Sequence, residues 1–173
     1  MSRRSQITIA IATGALVLGL VAQASLASAK DADNILKWDT MVGVPTGLTG
    51  AQSNAPLRGL NGGGIAWTLT EGHGKLTVDG HLEIKVDGLV LASGANAGNN
   101  PSATFRARVS CVNADGTFTN ILTTDAFPAT TGPASAGGGD SKIETDVVLP
   151  SPCIAPIVFV TSATGSWFAS TGH

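Results

Sequence analysis

The sequence predicts an all-β fold, an antiparallel β-sandwich or small barrel of about eight strands. Three observations predict it. Apolar and polar residues alternate with a period of two along His81–Asp87 and again along 104–111. Turn signals such as Asp79-Gly80 and Asn113-Ala114-Asp115-Gly116 separate the runs. After residue 29 no long stretch carries apolar side chains at helical spacing, and period decides element type.

Each run justifies one element. In His81–Asp87, Leu82, Ile84 and Val86 face a core while Glu83 and Lys85 face water, because successive side chains of a strand point to opposite sides. In 104–111 the inward set is Phe105, Ala107, Val109 and Cys111. Ile143, Thr145, Val147 and Leu149 repeat the pattern opposite Lys142, Glu144 and Asp146. Ile157-Val158-Phe159-Val160 is apolar on both phases, as a central strand covered on both faces must be. Shorter strands are expected at 65–70, 75–78, 118–123 and 167–169. Asp79-Gly80 reads as a two-residue hairpin turn, Gly88 as a bulge, and 93–102 and 129–140 as long breaker-rich loops.

The chain divides into three segments. Arg3 and Arg4 precede an apolar run from Ile7 to Ala24 that ends in Ala27-Ser28-Ala29, the pattern of a secretory signal peptide over 1–29 cleaved before Lys30. Ser2-Arg3-Arg4 resembles the start of a twin-arginine signal, but Gln6 stands where that signal carries a large apolar residue, so the general secretory route is expected. The run is short for a retained membrane anchor. Residues 30–61 form a loose N-terminal arm rich in Gly and Pro, with extended pieces at Leu36-Lys37-Trp38 and Met41-Val42. Residues 62–173 form the β-domain.

Charge narrows the function. The 173-residue chain holds 10 basic and 12 acidic side chains, and losing Arg3 and Arg4 makes it more acidic still. That balance argues against a nucleic-acid partner, which needs a basic patch to displace phosphate counterions. The mature form is expected to be secreted, extracellular or periplasmic, with no membrane attachment.

Export gives the two cysteines a meaning. In an oxidising compartment Cys111 and Cys153 are the one possible intrachain pair, and a bridge between them is worth about 4 kcal/mol through the loss of unfolded-chain entropy. No Cys-x-x-Cys spacing or neighbouring His supports a metal or a nucleophile.

The runs 56–67, 74–91 and 152–160 resemble a family of small secreted bacterial proteins of unknown function. The resemblance implies a secreted bacterial β-domain. It supplies neither substrate nor catalytic residues.

Several groups could carry chemistry. Arg58, Asn61, Gly62, Gly63 and Gly64 could form an anion-binding nest of backbone N–H groups, although no phosphate-loop Lys-Ser/Thr pair follows and a tight turn is the simpler account. His73 and His81, with Glu71, Asp79 and Glu83, are a zinc-like donor set, against which stands the alternation of a solvated sheet face. Trp67 and Trp167 could stack sugars or fill the core, and core is favoured because large aromatics are mostly buried. No Gly-x-Ser-x-Gly elbow is present, which excludes that class of hydrolase.

Three functions remain. The leading one is a non-catalytic secreted β-domain that mediates interaction or structural assembly, pairing through an exposed sheet edge; no catalytic residue and no cofactor is assigned to it. The others are a small-ligand or glycan-binding module using Trp67 or Trp167, and a hydrolase with a dispersed acidic site. The partner is accordingly an unidentified protein or glycan.

Overall fold

The computed structural model describes residues 33–49 and 56–171; the expected signal peptide over 1–29 lies outside them. In chain order the strands are β1 (Asn34–Trp38), β2 (Met41–Gly43), β3 (Trp67–Thr68), β4 (Glu71–Thr77), β5 (His81–Asp87), β6 (Val90–Leu91) and β7 (Asn99–Asn100). There follow β8 (Thr104–Val112), β9 (Phe118–Leu122), β10 (Phe127–Pro128), β11 (Gly132–Pro133), β12 (Ser141–Asp146), β13 (Ile154–Thr161) and β14 (Trp167–Thr171). No α-helix occurs among the described residues.

Two antiparallel sheets carry the fold. One runs β1-β4-β5-β12, the other β10-β8-β13-β14-β2 with β9 also paired to β8. Two-residue ladders join β3 to β6 and β7 to β11, so the two long loops expected at 93–102 and 129–140 hold each other. The core forms where the sheets face. Leu76, Leu82, Ile84, Val86 and Ile143 from the first sheet meet Phe105, Ala107, Val109, Val158 and Val160 from the second in one buried cluster. Leu82, Ile84, Val86, Ile143, Phe105, Ala107 and Val109 are the ones that alternation assigns inward, and burial of the whole cluster is the main force holding the sheets together.

β13 is central, between β8 and β14, and is apolar on both phases for a visible reason. Val158 and Val160 face the opposing sheet, while Ile157 and Phe159 lie on the outer side and are also buried. Trp167 packs on Phe159 with ring centroids 5.7 Å apart, and its indole N–H donates to the Leu60 carbonyl at 3.1 Å. Residues 57–60, from the expected arm, therefore cover part of this outer face. Other arm residues are strands in their own right: β1 pairs with β4 and β2 with β14.

Two local expectations are corrected. The β4–β5 turn spans Val78, Asp79 and Gly80 rather than Asp79-Gly80 alone, with the Gly80 N–H donating to the Thr77 carbonyl at 3.1 Å. Gly80 takes φ +93°, and a Cβ there would collide with the Val147 carbonyl oxygen; this is the left-handed position of a three-residue hairpin. The strand expected at 65–70 shrinks to β3, because Gly64 and the bend at Ile65 delay it and Thr70 turns into β4.

Candidate functional site

The outer face of the β1-β4-β5-β12 sheet is a lattice of charge built by strand alternation. Register sets Glu71 opposite Asp87, His73 opposite Lys85 and Lys75 opposite Glu83. On the other side of β5, Lys85 faces Lys142, Glu83 faces Glu144 and His81 faces Asp146. Like charges thus oppose one another across strands, which is unfavourable. The relief runs largely along the strands: Lys85 bonds Asp87 at 2.7 Å and Lys142 bonds Glu144 at 2.7 Å. Lys75 reaches across to Glu83 at 2.9 Å.

His81 sits at the centre of the densest group. Its Nδ1 lies 2.9 Å from Asp146 Oδ1 and its Nε2 lies 3.2 Å from Glu83 Oε1. The Asp146 hydrogen bond, followed by the one to Glu83, raises the imidazole above its ordinary value of 6.5. The Lys75 ammonium, then His81, holds the Glu83 carboxyl below its ordinary range. Donor atoms of His81, Glu83 and Glu144 all lie within 4.8 Å of one another, a set chemically suited to zinc. Both carboxylates are already neutralised by lysines, however, and a cation there would compete with Lys75 and Lys142.

The structure therefore does not bring His73 and His81 together as one metal site. Because His73 stands opposite Lys85, four residues along β5 from His81, the two lie about 13 Å apart at the strand rise per residue. His73 instead pairs with Glu71 at 3.4 Å. Asp79 is held by Thr77 in the turn.

The signs of the two shifts set a pH window. His81, raised on folding, contributes stability at low pH that is lost as pH climbs through its folded value. Glu83, lowered on folding, contributes stability at higher pH that is lost as pH falls through its folded value. The group is most favourable between them, in mildly acidic solution, and its effect is small because every member is well exposed to water. NMR titration of the His81 imidazole should give a midpoint above 6.5 that drops in Asp146→Asn. An unchanged midpoint would remove Asp146 as the cause.

The remaining candidates are structural in placement. Trp67 and Trp167 are 6% and 2% exposed, so neither offers a ring face to a sugar. Trp67 stacks on Phe168 at 4.0 Å and meets Phe105 edge-on at 6.4 Å. The glycine run does not form an anion nest: the Gly62 N–H donates to the Leu48 carbonyl at 3.1 Å and the Gly63 N–H to the Trp167 carbonyl at 2.8 Å. Asn61 gives its carbonyl to the Trp167 N–H at 3.2 Å, and a Cβ on Gly62 would collide with the Leu48 carbonyl oxygen. Gly64 stands exposed beyond the run. Arg58 occupies a left-handed turn position at φ 54°, donates to the Ala155 carbonyl at 2.9 Å and lies over the Phe118 ring. Cys111 and Cys153 are joined as a disulfide.

What the sequence does not single out is β9. Backbone bonds from Thr123 N to Ala107 O and from Asn113 N to Thr117 O fix the ladder parity, so Phe118, Asn120 and Leu122 turn their N–H and C=O groups away from β8. Among the described residues no other strand pairs with β9. From Thr117 to Thr124 the chain holds no charge, proline or glycine, the devices that usually blunt an edge. The other edges differ: β1 carries Lys37, β12 carries Lys142, Glu144 and Asp146, β10 is bonded by Ser141 of β12, and β2 is covered where Val44 accepts from Trp67 N.

No protein family, curated protein or solved structure matches the chain.

Proposed function

We propose that the chain is a secreted, non-catalytic β-domain that assembles by strand addition at β9, with a second copy of itself as the partner. The observation that carries this reading is the β9 edge: an extended, uncharged, β-prone strand with three residues whose backbone groups point outward. Antiparallel pairing about Asn120 sets Phe118 opposite Leu122 of the second copy and uses all three. Secretion is supported by the signal-like N-terminus and by the Cys111–Cys153 disulfide, since such bonds persist in oxidising compartments. Among the described residues no helix is long and apolar enough to cross a membrane.

Sedimentation across a concentration series tests the proposal. The parent should show a reversible monomer–dimer equilibrium. Asn120→Pro removes an outward N–H from each copy without touching the β8 ladder, and should weaken association roughly tenfold or more. Asn120→Ala keeps the N–H, loses only the side-chain bond to the Arg58 carbonyl, and should associate like the parent. A parent that stays monomeric at every concentration, or a proline variant that associates unchanged, contradicts the proposal.

A further inference from the structure

The two large sheets differ in charge. Lys, Asp, Glu and His populate β1, β4, β5 and β12, whereas β2, β8, β9, β10, β13 and β14 contain no acidic residue, and their cations are Arg106 and Arg108 alone. Both stand on β8 at the phase opposite Phe105, Ala107 and Val109, hence on the outer face, with Cα atoms about 7 Å apart at i and i+2.

Among the described residues neither arginine has a carboxylate partner. The acid nearest in the chain on the β9 side, Asp125, makes no ion pair with either, and Asp115 is held by Thr117 in the β8–β9 hairpin. The Nε atoms of Arg106 and of Arg108 are both buried without a hydrogen-bond partner. Ser110 Oγ and Arg58 Nη1, on the same outer face, are likewise buried and unpartnered. Arg108 lies against the β13–β14 turn, where a Cβ on Gly165 would come within 2.2 Å of its Nη2. The turn glycine thus gives the guanidinium its room. The same turn carries the Ser162 and Thr164 hydroxyls, 3.0 Å from each other.

A guanidinium stays charged at any physiological pH, and burying it uncompensated is costly. Burial accordingly presses the Arg108 pKa down. Two such groups at i and i+2 on one face of β8, with no acid on any strand of the sheet, call for an anion from outside the chain. We infer that Arg106 and Arg108 form a binding site for a tetrahedral oxyanion, phosphate or sulfate, free or as an ester, on the outer face of the β8–β13 pair. A tetrahedral anion has oxygens enough to accept from both forks at once, and charge-assisted bonds of this kind are the strong ones. The site is distinct from the β9 edge backbone, and its failure would leave the assembly proposal untouched.

NMR of the arginine Nε–H resonances reads the site directly. Titrating the disulfide-intact protein with inorganic phosphate, inorganic sulfate, glycerol phosphate and a sulfated monosaccharide, each against sodium chloride of equal ionic strength, should move the Arg106 and Arg108 signals along a saturable curve absent in chloride. The tightest arm names the source of the anion. Arg108→Gln should weaken the best ligand roughly tenfold or more. Arg108→Lys keeps the charge but loses the fork and should also weaken it, whereas Lys142→Gln, on the other sheet, should leave it unchanged. Signals that follow ionic strength alike in every salt, or an equal loss in Lys142→Gln, would overturn the assignment.

Discussion

Phe105→Ala should destabilise the domain by about 3–5 kcal/mol, the range for truncating a fully buried aromatic. Phe105 is 0% exposed and stands where the inner face of β8 meets two other rings. It lies edge-on to Trp67 at 6.4 Å and edge-on to Phe168 at 5.9 Å. Those partners come from β3 and β14, so one side chain ties three separate parts of the chain. The cavity left behind cannot collapse easily, because Trp67 and Phe168 are already stacked on each other. Denaturant unfolding monitored by tryptophan fluorescence gives the value. Phe118→Ala, on an exposed ring, should cost far less, and a comparable loss at the two positions would refute the assignment of Phe105 to the core.

Removing the disulfide should cost about 2–5 kcal/mol, a large share of the total stability of a single domain. Cys111 and Cys153 are 42 positions apart, so the bridge closes a long loop in the unfolded chain. In the folded chain it joins β8 to the residue just before β13. Register between these strands slips from Ile154 to Ile157, and Pro152 and Pro156 lack backbone donors. The bridge therefore secures a segment that ladder hydrogen bonds hold poorly. Cys111→Ala/Cys153→Ala is the suitable variant, because serine at the buried Cys111 position would add an unsatisfied hydroxyl. If its unfolding midpoint matches the parent's, the bridge contributes nothing. A thiol reagent that labels the unreduced protein would show it unformed.

Much of the fold was legible because alternation is a local signal. β5, β8 and β12 each place charged and apolar residues on opposite phases, and burial follows that phase throughout β5 and along β8 as far as Val109, while Ser110 on the outer phase is buried as well and Thr145 on the inner phase of β12 is only half-buried. β4 was legible only at its C-terminal half. Gly72 and Gly74 erase the apolar phase at its start, and the strand forms there because β1 and β5 flank it and the Trp38 ring lies over Gly74. Pairings between distant segments were not legible at all. Sequence spacing suggested His73 and His81 as neighbours across a hairpin, whereas register gave His81 to Glu83, Glu144 and Asp146. Arg106 and Arg108 read as the polar phase of an ordinary strand. Only the folded sheet reveals that no carboxylate among the described residues pairs with them, since that depends on which strands β8 acquires as neighbours. An open edge was expected, but its identity as β9 depends on β10 being covered by β12.

The most direct test of the account is amide hydrogen exchange at Phe118, Asn120 and Leu122, measured at low and high protein concentration. Their N–H groups point away from β8, so in dilute solution they should exchange quickly while Thr119 and Ile121 are protected. At high concentration protection should spread to all five residues as β9 pairs with its counterpart in a second copy. Outward amides that are protected at every dilution, or exposed at every concentration, would contradict the assembly role assigned to this edge.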